Sequence, residues 1–273
     1  RGPDNLRIHR MLDERSAGFF ALGLGRIHGV PAALVCTSGT AAAHYFPALI
    51  EASQSHIPLL VLSADRPQEL RGVGSLQTID QNKLFGDYTR LYLDLTAPTV
   101  DGPADAWVAA CGARAFDAAC GYNAGPVHLN LPFREPLWTA GEPLPDFELP
   151  VVPQNLVANR TLSTQQLENL GQSIAAYKRG VIIAGPRDGA CDERETLLAE
   201  AVKRFATRLG WPVIAEPGSG IRAKLSDCDL LIPSADIVLR GKKVSEALAP
   251  EFVLRFGKTP TSKVVRLWAA KHA

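Results

Sequence analysis

Methionine is nearly absent from this chain. Met11 is the only one, and the sequence opens Arg1-Gly2-Pro3 with no initiator. At the other end, Trp268-Ala269-Ala270-Lys271-His272-Ala273 stops inside a helical pattern with no glycine cap or polar tail. The expectation is a piece of a longer protein, cut on both sides. Charge of one sign is also lacking: 29 Lys+Arg stand against 28 Asp+Glu, a net +1. Such a balance creates no strong field to draw nucleic acid or an anionic membrane, so the expected partner is a small molecule or another copy of the chain. Five scattered cysteines (Cys36, Cys111, Cys120, Cys191, Cys228) include no Cys-x-x-Cys, and the six histidines show no ligand spacing. This gives no sign of zinc and reads as thiols of a reducing, cytoplasmic compartment. No apolar run approaches the roughly 20 residues of a membrane span. No lysine follows the small-residue turn at Thr37 to Thr40, which disfavours nucleotide hydrolysis of the Walker type.

What is present is alternation. Strand-length apolar runs at 8–12, 32–36, 59–63, 91–95 and 127–131 are separated by helical patterns at 16–27, 40–52, 81–85 and 104–120. Repeated β-α order implies a parallel sheet covered on both faces, and Leu-Leu-Val-Leu is apolar on both sides as a buried parallel strand should be. A stretch rich in proline and acid, 136–153, reads as an interdomain linker. Alternation then restarts: helices at 164–177, 192–209, 236–240 and from 262, strands at 180–184, 212–215 and 252–256. The fold class is therefore α/β, two doubly wound parallel-sheet domains over 1–135 and 161–273 joined by 136–160. The second is expected to be incomplete, since no strand follows its last helix.

Several motifs sit where strands meet helices, the usual place for ligands in such folds. Glu14, in Asp13-Glu14-Arg15, follows the first apolar run and opens a helix; an acidic residue there also simply complements the helix dipole. Thr37-Ser38-Gly39-Thr40 offers amides and hydroxyls to an anion or the polar edge of a cofactor, or else an ordinary helix cap. Gly23-x-Gly25 closes a helix instead of following a strand, which argues against a dinucleotide site. Arg66 follows a buried strand, where its guanidinium can grip a carboxylate with Asp65 orienting it, or where the two close a loop as a structural pair. The amide-rich loop Gly74 to Gln81 suits a polar ligand or a helix cap. Lys263 places a cation beside the free amides of a helix start, or is a solvated lysine. The histidines are taken as structural.

In order, Asp13-Glu14-Arg15, Thr37-Ser38-Gly39-Thr40-Ala41, Pro47 to Ala52, Ala64-Asp65-Arg66-Pro67 with Glu69-Leu70, and Gln77-Thr78-Ile79 with Gln81 form a series. It resembles the pyrimidine-binding domain of the 2-succinyl-5-enolpyruvyl-6-hydroxy-3-cyclohexene-1-carboxylate synthase family, thiamine-diphosphate enzymes of menaquinone biosynthesis. Gly125 to Asn130 with Pro132 to Leu137, Gly180 to Gly185, Leu209 to Val213 and Ser262-Lys263 extend the resemblance over essentially the whole chain.

The resemblance implies a transferase that uses thiamine diphosphate and Mg²⁺. Such enzymes decarboxylate 2-oxoglutarate and add the resulting succinyl-semialdehyde carbanion equivalent to isochorismate. Glu14 corresponds to the catalytic carboxylate that contacts the aminopyrimidine ring nitrogen. Glu14, Thr37, Ser38, Gly39 and Gln77 are the implied cofactor contacts; Arg66, Gln77 and Lys263 are the implied substrate contacts. The metal ligands would lie in a diphosphate-binding domain after Ala273, and a substrate loop before Arg1. Active sites shared between subunits imply a homodimer or homotetramer, and this chain alone is expected to be inactive. Leu76 stands where some relatives carry Asn. Two other readings remain open, a different thiamine-diphosphate enzyme (acetolactate synthase or 2-oxo-acid decarboxylase type) and a non-catalytic nucleotide-binding or regulatory module.

Overall fold

A computed structural model describes residues 6–99, 105–137, 161–187 and 192–272. The chain divides into two compact units, Arg1–Val157 and Ala158–Ala273. The expected linker lies almost wholly outside the described residues, as does Cys191.

In the first unit α1 (Glu14–His28) starts where the Asp13 carboxylate accepts the Ser16 amide at 2.8 Å and ends at Gly29, whose φ of 67° is left-handed. Its buried stripe is Gly18, Ala21 and Gly25. These small residues allow close packing: a Cβ on Gly25 would stand 2.6 Å from the Pro58 carbonyl oxygen. Gly25 is therefore a packing glycine inside the helix, not its terminator. Strand β1 (Ala32–Cys36) follows, then α2 (Thr40–Ala43) and α3 (Phe46–Ser55). The single helix expected over 40–52 breaks at His44-Tyr45 because Pro47, lacking an amide hydrogen, sits in the first turn of a new helix.

Strands β2 (Leu59–Asp65), β3 (Leu91–Asp94) and β4 (Pro126–Pro132) complete a four-stranded parallel sheet in the order β1-β2-β4-β3. One face packs Leu34, Cys36, Leu59 and Val61 against Ala21, Tyr45, Leu49 and Phe85. Helix α4 (Asp105–Cys120) covers the other through Ala115 and Ala119, over Val127 and Leu129. The strand expected at 8–12 is not formed. Among the described residues no strand lies beside Ile8 to Leu12, and a strand without a neighbour has no ladder to bond. The helix expected at 81–85 is a set of turns ending in a 3₁₀ turn at Gly86–Tyr88.

In the second unit β5 (Gly180–Ala184), buried at every position, lies between β6 (Val213–Ala215) and β7 (Phe252–Phe256), all parallel. Alternate residues face two cores. Ile182, Ala184 and Val213 meet Val202 and Ala206 of α6 (Asp192–Leu209), together with Ile174 of α5 (Thr164–Ala175). Val181, Ile183 and Ile214 meet Ala235 and Leu239, near the short helix α7 (Ala235–Val238). The helix α8 (Lys242–Ala247) was not foreseen, and α9 (Lys263–Lys271) closes this side with Val265 and Trp268.

Candidate functional site

The C-terminal ends of β1, β2 and β4 bring most of the singled-out residues together. Beyond β1 the chain turns through Thr37, Ser38 and Gly39, the last at φ 83°. The loop holding Gln77 folds onto that turn. Gln77 Nε2 donates to Thr37 Oγ1 and to the Ser38 carbonyl, both at 3.1 Å, and Ser38 Oγ donates to the Gln77 carbonyl at 3.1 Å. Both amide hydrogens of Gln77 are thereby used, so its side chain faces a ligand through Oε1 alone. A Cβ on Gly39 would stand 3.2 Å from both Gln77 Cγ and the Gln77 carbonyl oxygen. Only a glycine admits both the left-handed φ and this approach.

The Gly39 amide is not available to an anion at this turn. The Gly39 amide donates to Gln81 Oε1 at 2.8 Å, and α2 behind it has only four residues. What the turn presents is hydroxyl and carbonyl oxygen.

Glu14 stands half-buried at the start of α1, close enough to the end of β1 for its charge to act on the buried Cys36 and Tyr45. Burial first, and then Glu14, push the Cys36 thiol up to about 11, opposed by a hydrogen bond with Tyr45. The same burial, with Cys36 and Glu14 beside it, raises the Tyr45 phenol. Glu14 therefore meets neighbours that stay neutral at physiological pH. Asp13 is a cap: the hydrogen bonds it accepts from Ser16 hold its carboxyl below the usual range.

Asp65 and Arg66 divide their work differently from the expected pair. The buried Asp65 carboxylate accepts the Arg66 amide at 2.7 Å, but its guanidinium partner is Arg71, at 2.9 Å. Arg71 also forks onto Asp94 at 2.8 and 3.0 Å and donates to the Arg66 carbonyl. Asn130 joins the two carboxylates, donating to Asp65 at 2.7 Å and Asp94 at 2.9 Å. Arg66 is left with one long bond, 3.4 Å from its guanidinium to the Leu76 carbonyl, and no ion pair among the described residues. Its fork has no carboxylate partner among the described residues. A cavity of about 400 Å³ is lined by Arg71, Gly74, Ser75 and Thr78 among others, but by neither Arg66 nor Gln77. Arg71 lay unnoticed in the sequence, although an arginine five residues after Arg66 was the available signal.

Lys263 belongs to the second unit and is exposed at the first position of α9. Three amides around that helix start already have partners. Glu216, buried at the end of β6, accepts from Thr261 N at 2.7 Å and Ser262 N at 2.9 Å, and Ser262 Oγ caps Val265 N. The amides left at that start for the expected anion are fewer than a free helix end would offer. Among the described residues no group of three or more His, Cys, Asp or Glu side chains is placed to hold a metal. No helix there is long and apolar enough to cross a membrane.

Two family models match the chain, an N-terminal TPP binding domain of thiamine pyrophosphate enzymes over residues 1–84 and a middle domain of thiamine pyrophosphate enzymes over 150–273. Curated relatives include the 2-succinyl-5-enolpyruvyl-6-hydroxy-3-cyclohexene-1-carboxylate synthase of Geobacillus thermodenitrificans, 44% identical over 98% of this chain and 45% of its own length. Those of Chloroflexus aurantiacus and Myxococcus xanthus are 43% and 41% identical, again over 98% of this chain and covering 45% and 46% of the relative. The chain thus spans about half the length of the curated relatives it matches. With its parallel α/β units and these two models in register, the chain belongs to the thiamine pyrophosphate enzymes, as the counterpart of the N-terminal and middle domains of the 2-succinyl-5-enolpyruvyl-6-hydroxy-3-cyclohexene-1-carboxylate synthases.

Proposed function

We propose that this chain supplies the pyrimidine-binding domain (1–135) and central domain (161–273), joined by 136–160, of a synthase with the relatives' activity. That enzyme decarboxylates 2-oxoglutarate and joins the remaining succinyl unit to isochorismate, with CO₂ as the other product. The single observation that carries the reading is the guanidinium of Arg66, which has no carboxylate partner among the described residues, while Arg71 is already neutralised by Asp65 and Asp94. 2-Oxoglutarate keeps a second carboxylate after CO₂ leaves, so its site needs a fixed cation that is not already paired. Pyruvate, the simplest substrate of the acetolactate and decarboxylase readings, makes no such demand.

The residues present fit thiamine diphosphate. Gly39 lets the turn close onto Gln77, Gln77 Oε1 is an open acceptor, and Glu14 stands within electrostatic reach of the neutral Cys36 and Tyr45. Bound there, the cofactor supplies the electron sink for breaking and making bonds at a carbonyl carbon. Glu14 would hydrogen-bond the aminopyrimidine ring nitrogen and hold a proton there. Thr37, Ser38 and Gly39 present the edge the ring rests on. Arg66 holds the substrate carboxylate, Gln77 accepts a hydrogen bond from the bound substrate, and Lys263 serves a second anionic group. Mg²⁺ and the diphosphate are held by a further domain. The working enzyme is a cytoplasmic homodimer or homotetramer, and these 273 residues alone are inactive.

The test is CO₂ release and product formation from 2-oxoglutarate and isochorismate, by the full-length protein that includes these residues and by the 273-residue chain. Glu14→Gln should be severely impaired. Arg66→Ala should raise KM for 2-oxoglutarate by roughly 10- to 100-fold, the worth of a charge-assisted hydrogen bond. Turnover by the short chain, or wild-type activity of Glu14→Gln, refutes the corresponding part of the reading.

A further inference from the structure

We infer that Gln81 is a positioning residue for the ligand-facing turn, its buried carboxamide locking the Gly39 amide to the ends of β2 and β4 and so setting where Ser38, Gly39 and Gln77 stand. What the turn faces rests on the proposed function; the lock itself is geometric. Gln81 is 1% exposed. Its Oε1 accepts the Gly39 amide at 2.8 Å, while its Nε2 donates to the Ala64 carbonyl at 3.1 Å and to Asn130 Oδ1 at 2.8 Å. One carboxamide therefore ties together three strand ends that are neighbours in the sheet but 17 to 49 residues away from it in sequence.

Only one arrangement of hydrogens satisfies these contacts. The Gly39 amide can only donate and the Ala64 carbonyl can only accept, so the orientation of Gln81 is forced. Asn130 is forced as well, because its Nδ2 faces the carboxylates of Asp65 and Asp94; its Oδ1 must turn to Gln81 and Ser63. Ser63 Oγ stands 3.0 Å from Asn130 Oδ1 and 2.7 Å from His128 Nε2, so its hydroxyl bridges the two. Among the described residues His128 Nδ1 is the buried side-chain atom without a partner. The orientations of Asn130 and Gln81 follow from the pairing of Arg71 with the two carboxylates, and the series ends at the Gly39 amide. From there it passes to the ligand side, since Gly39 lies against Gln77 and Ser38 bonds Gln77. Gln77 has φ 54°, a conformation a non-glycine residue keeps only when its surroundings impose it.

A glutamate at 81 is the discriminating substitution. One of its oxygens can still accept from Gly39, but the other faces Ala64 O and Asn130 Oδ1, which are both acceptors. Only the protonated acid fits. The groups around it are Ser63 and Ala64 on β2, Asn130 on β4 and the Gly39 amide. Asp65, Asp94 and Arg71 stand one residue further, behind Asn130, and His128 stands behind Ser63. The folded-state pKa of the new carboxyl is thus raised, and its fit is present at low pH and lost as pH rises through that value.

In the full-length protein, thiamine diphosphate affinity of Gln81→Glu is compared with wild type at pH 5.5 and pH 8.5, together with thermal stability without cofactor. The variant-to-wild-type ratio should be near one at the lower pH and about tenfold unfavourable at the higher, the cost of one broken buried hydrogen bond. Gln81→Leu, with no proton to gain, should be impaired at both. A pH-independent ratio for Gln81→Glu overturns the role of Gln81, and so does wild-type affinity in Gln81→Leu with only its stability lowered. Failure of the wild-type protein to bind thiamine diphosphate overturns the proposed function instead.

Discussion

Replacing Arg71 by leucine removes the cation from a pair of carboxylates and leaves the aliphatic bulk in place. The two arms of the fork are unequal. Asp65 has a side chain 1% exposed and Arg71 one 18% exposed, so the Asp65 arm is shielded from water; Asp94, at 27%, is less so. Breaking a buried pair by removing one partner costs about 3–5 kcal/mol, and partial access of water at Arg71 favours the lower end. The Asp94 arm adds at most about 1 kcal/mol. We expect a loss of about 3–4 kcal/mol at pH 7, read from native-state hydrogen exchange of β2 and β4 amides, which reports this unit alone. Burial raises the Asp94 carboxyl, but the bonds from Arg71 and Asn130 outweigh it and hold it below its ordinary value. A depressed carboxylate contributes stability above the unfolded value of about 3.9 and loses it as pH falls through the folded one. The gap between wild type and Arg71→Leu should therefore be widest near neutrality and narrow as pH falls below about 4. A gap that stays constant from pH 7 to pH 3 would show that packing, not charge, sets the cost, and the reasoning fails.

Two further outcomes are expected. Gly39→Ala combines a left-handed φ with a Cβ 3.2 Å from Gln77, so it should cost about 1–2 kcal/mol in stability and weaken thiamine diphosphate binding; unchanged affinity in a calorimetric titration would separate Gly39 from the ligand. Burial depresses His128 to about 4, against a small opposing pull from Asp94. Its ring should stay neutral in an NMR titration at pH 5.5, and its contribution to stability, present above about 6.5, should be lost on going down to pH 4, roughly 3 kcal/mol in all; a ring titrating near 6.5 refutes this.

The regular elements with strong local signals were legible in the sequence. β1, β5, β7 and α6 have the expected limits, because an apolar run bounded by turn residues needs no distant information to end where it does. Ile8 to Leu12 carries the same kind of run and is no strand, since strand formation is a property of a pair. In the site, Ser38, Gly39 and Gln77 do meet, but their partners could not be read. Gln81 is 42 residues from the amide it holds and Asn130 is 65 from Asp65. Only the sheet order makes such pairs neighbours. The same distance misdirected Asp65 toward the adjacent Arg66, when the guanidinium it holds is that of Arg71.

The sheet order β1-β2-β4-β3 also governs how this unit is made. β3 leaves the ribosome before β4, yet among the described residues its only neighbour in the sheet is β4, which pairs with it from Val127 to Asn130. Until Pro126 to Pro132 has been synthesised, β3 has nothing to bond, and Asp94 and Asp65 wait for the amide of Asn130 that joins them. The nascent N-terminal unit therefore has an open flank at β2 and β3 for as long as β4 is unmade, a non-local pairing of the kind that slows folding.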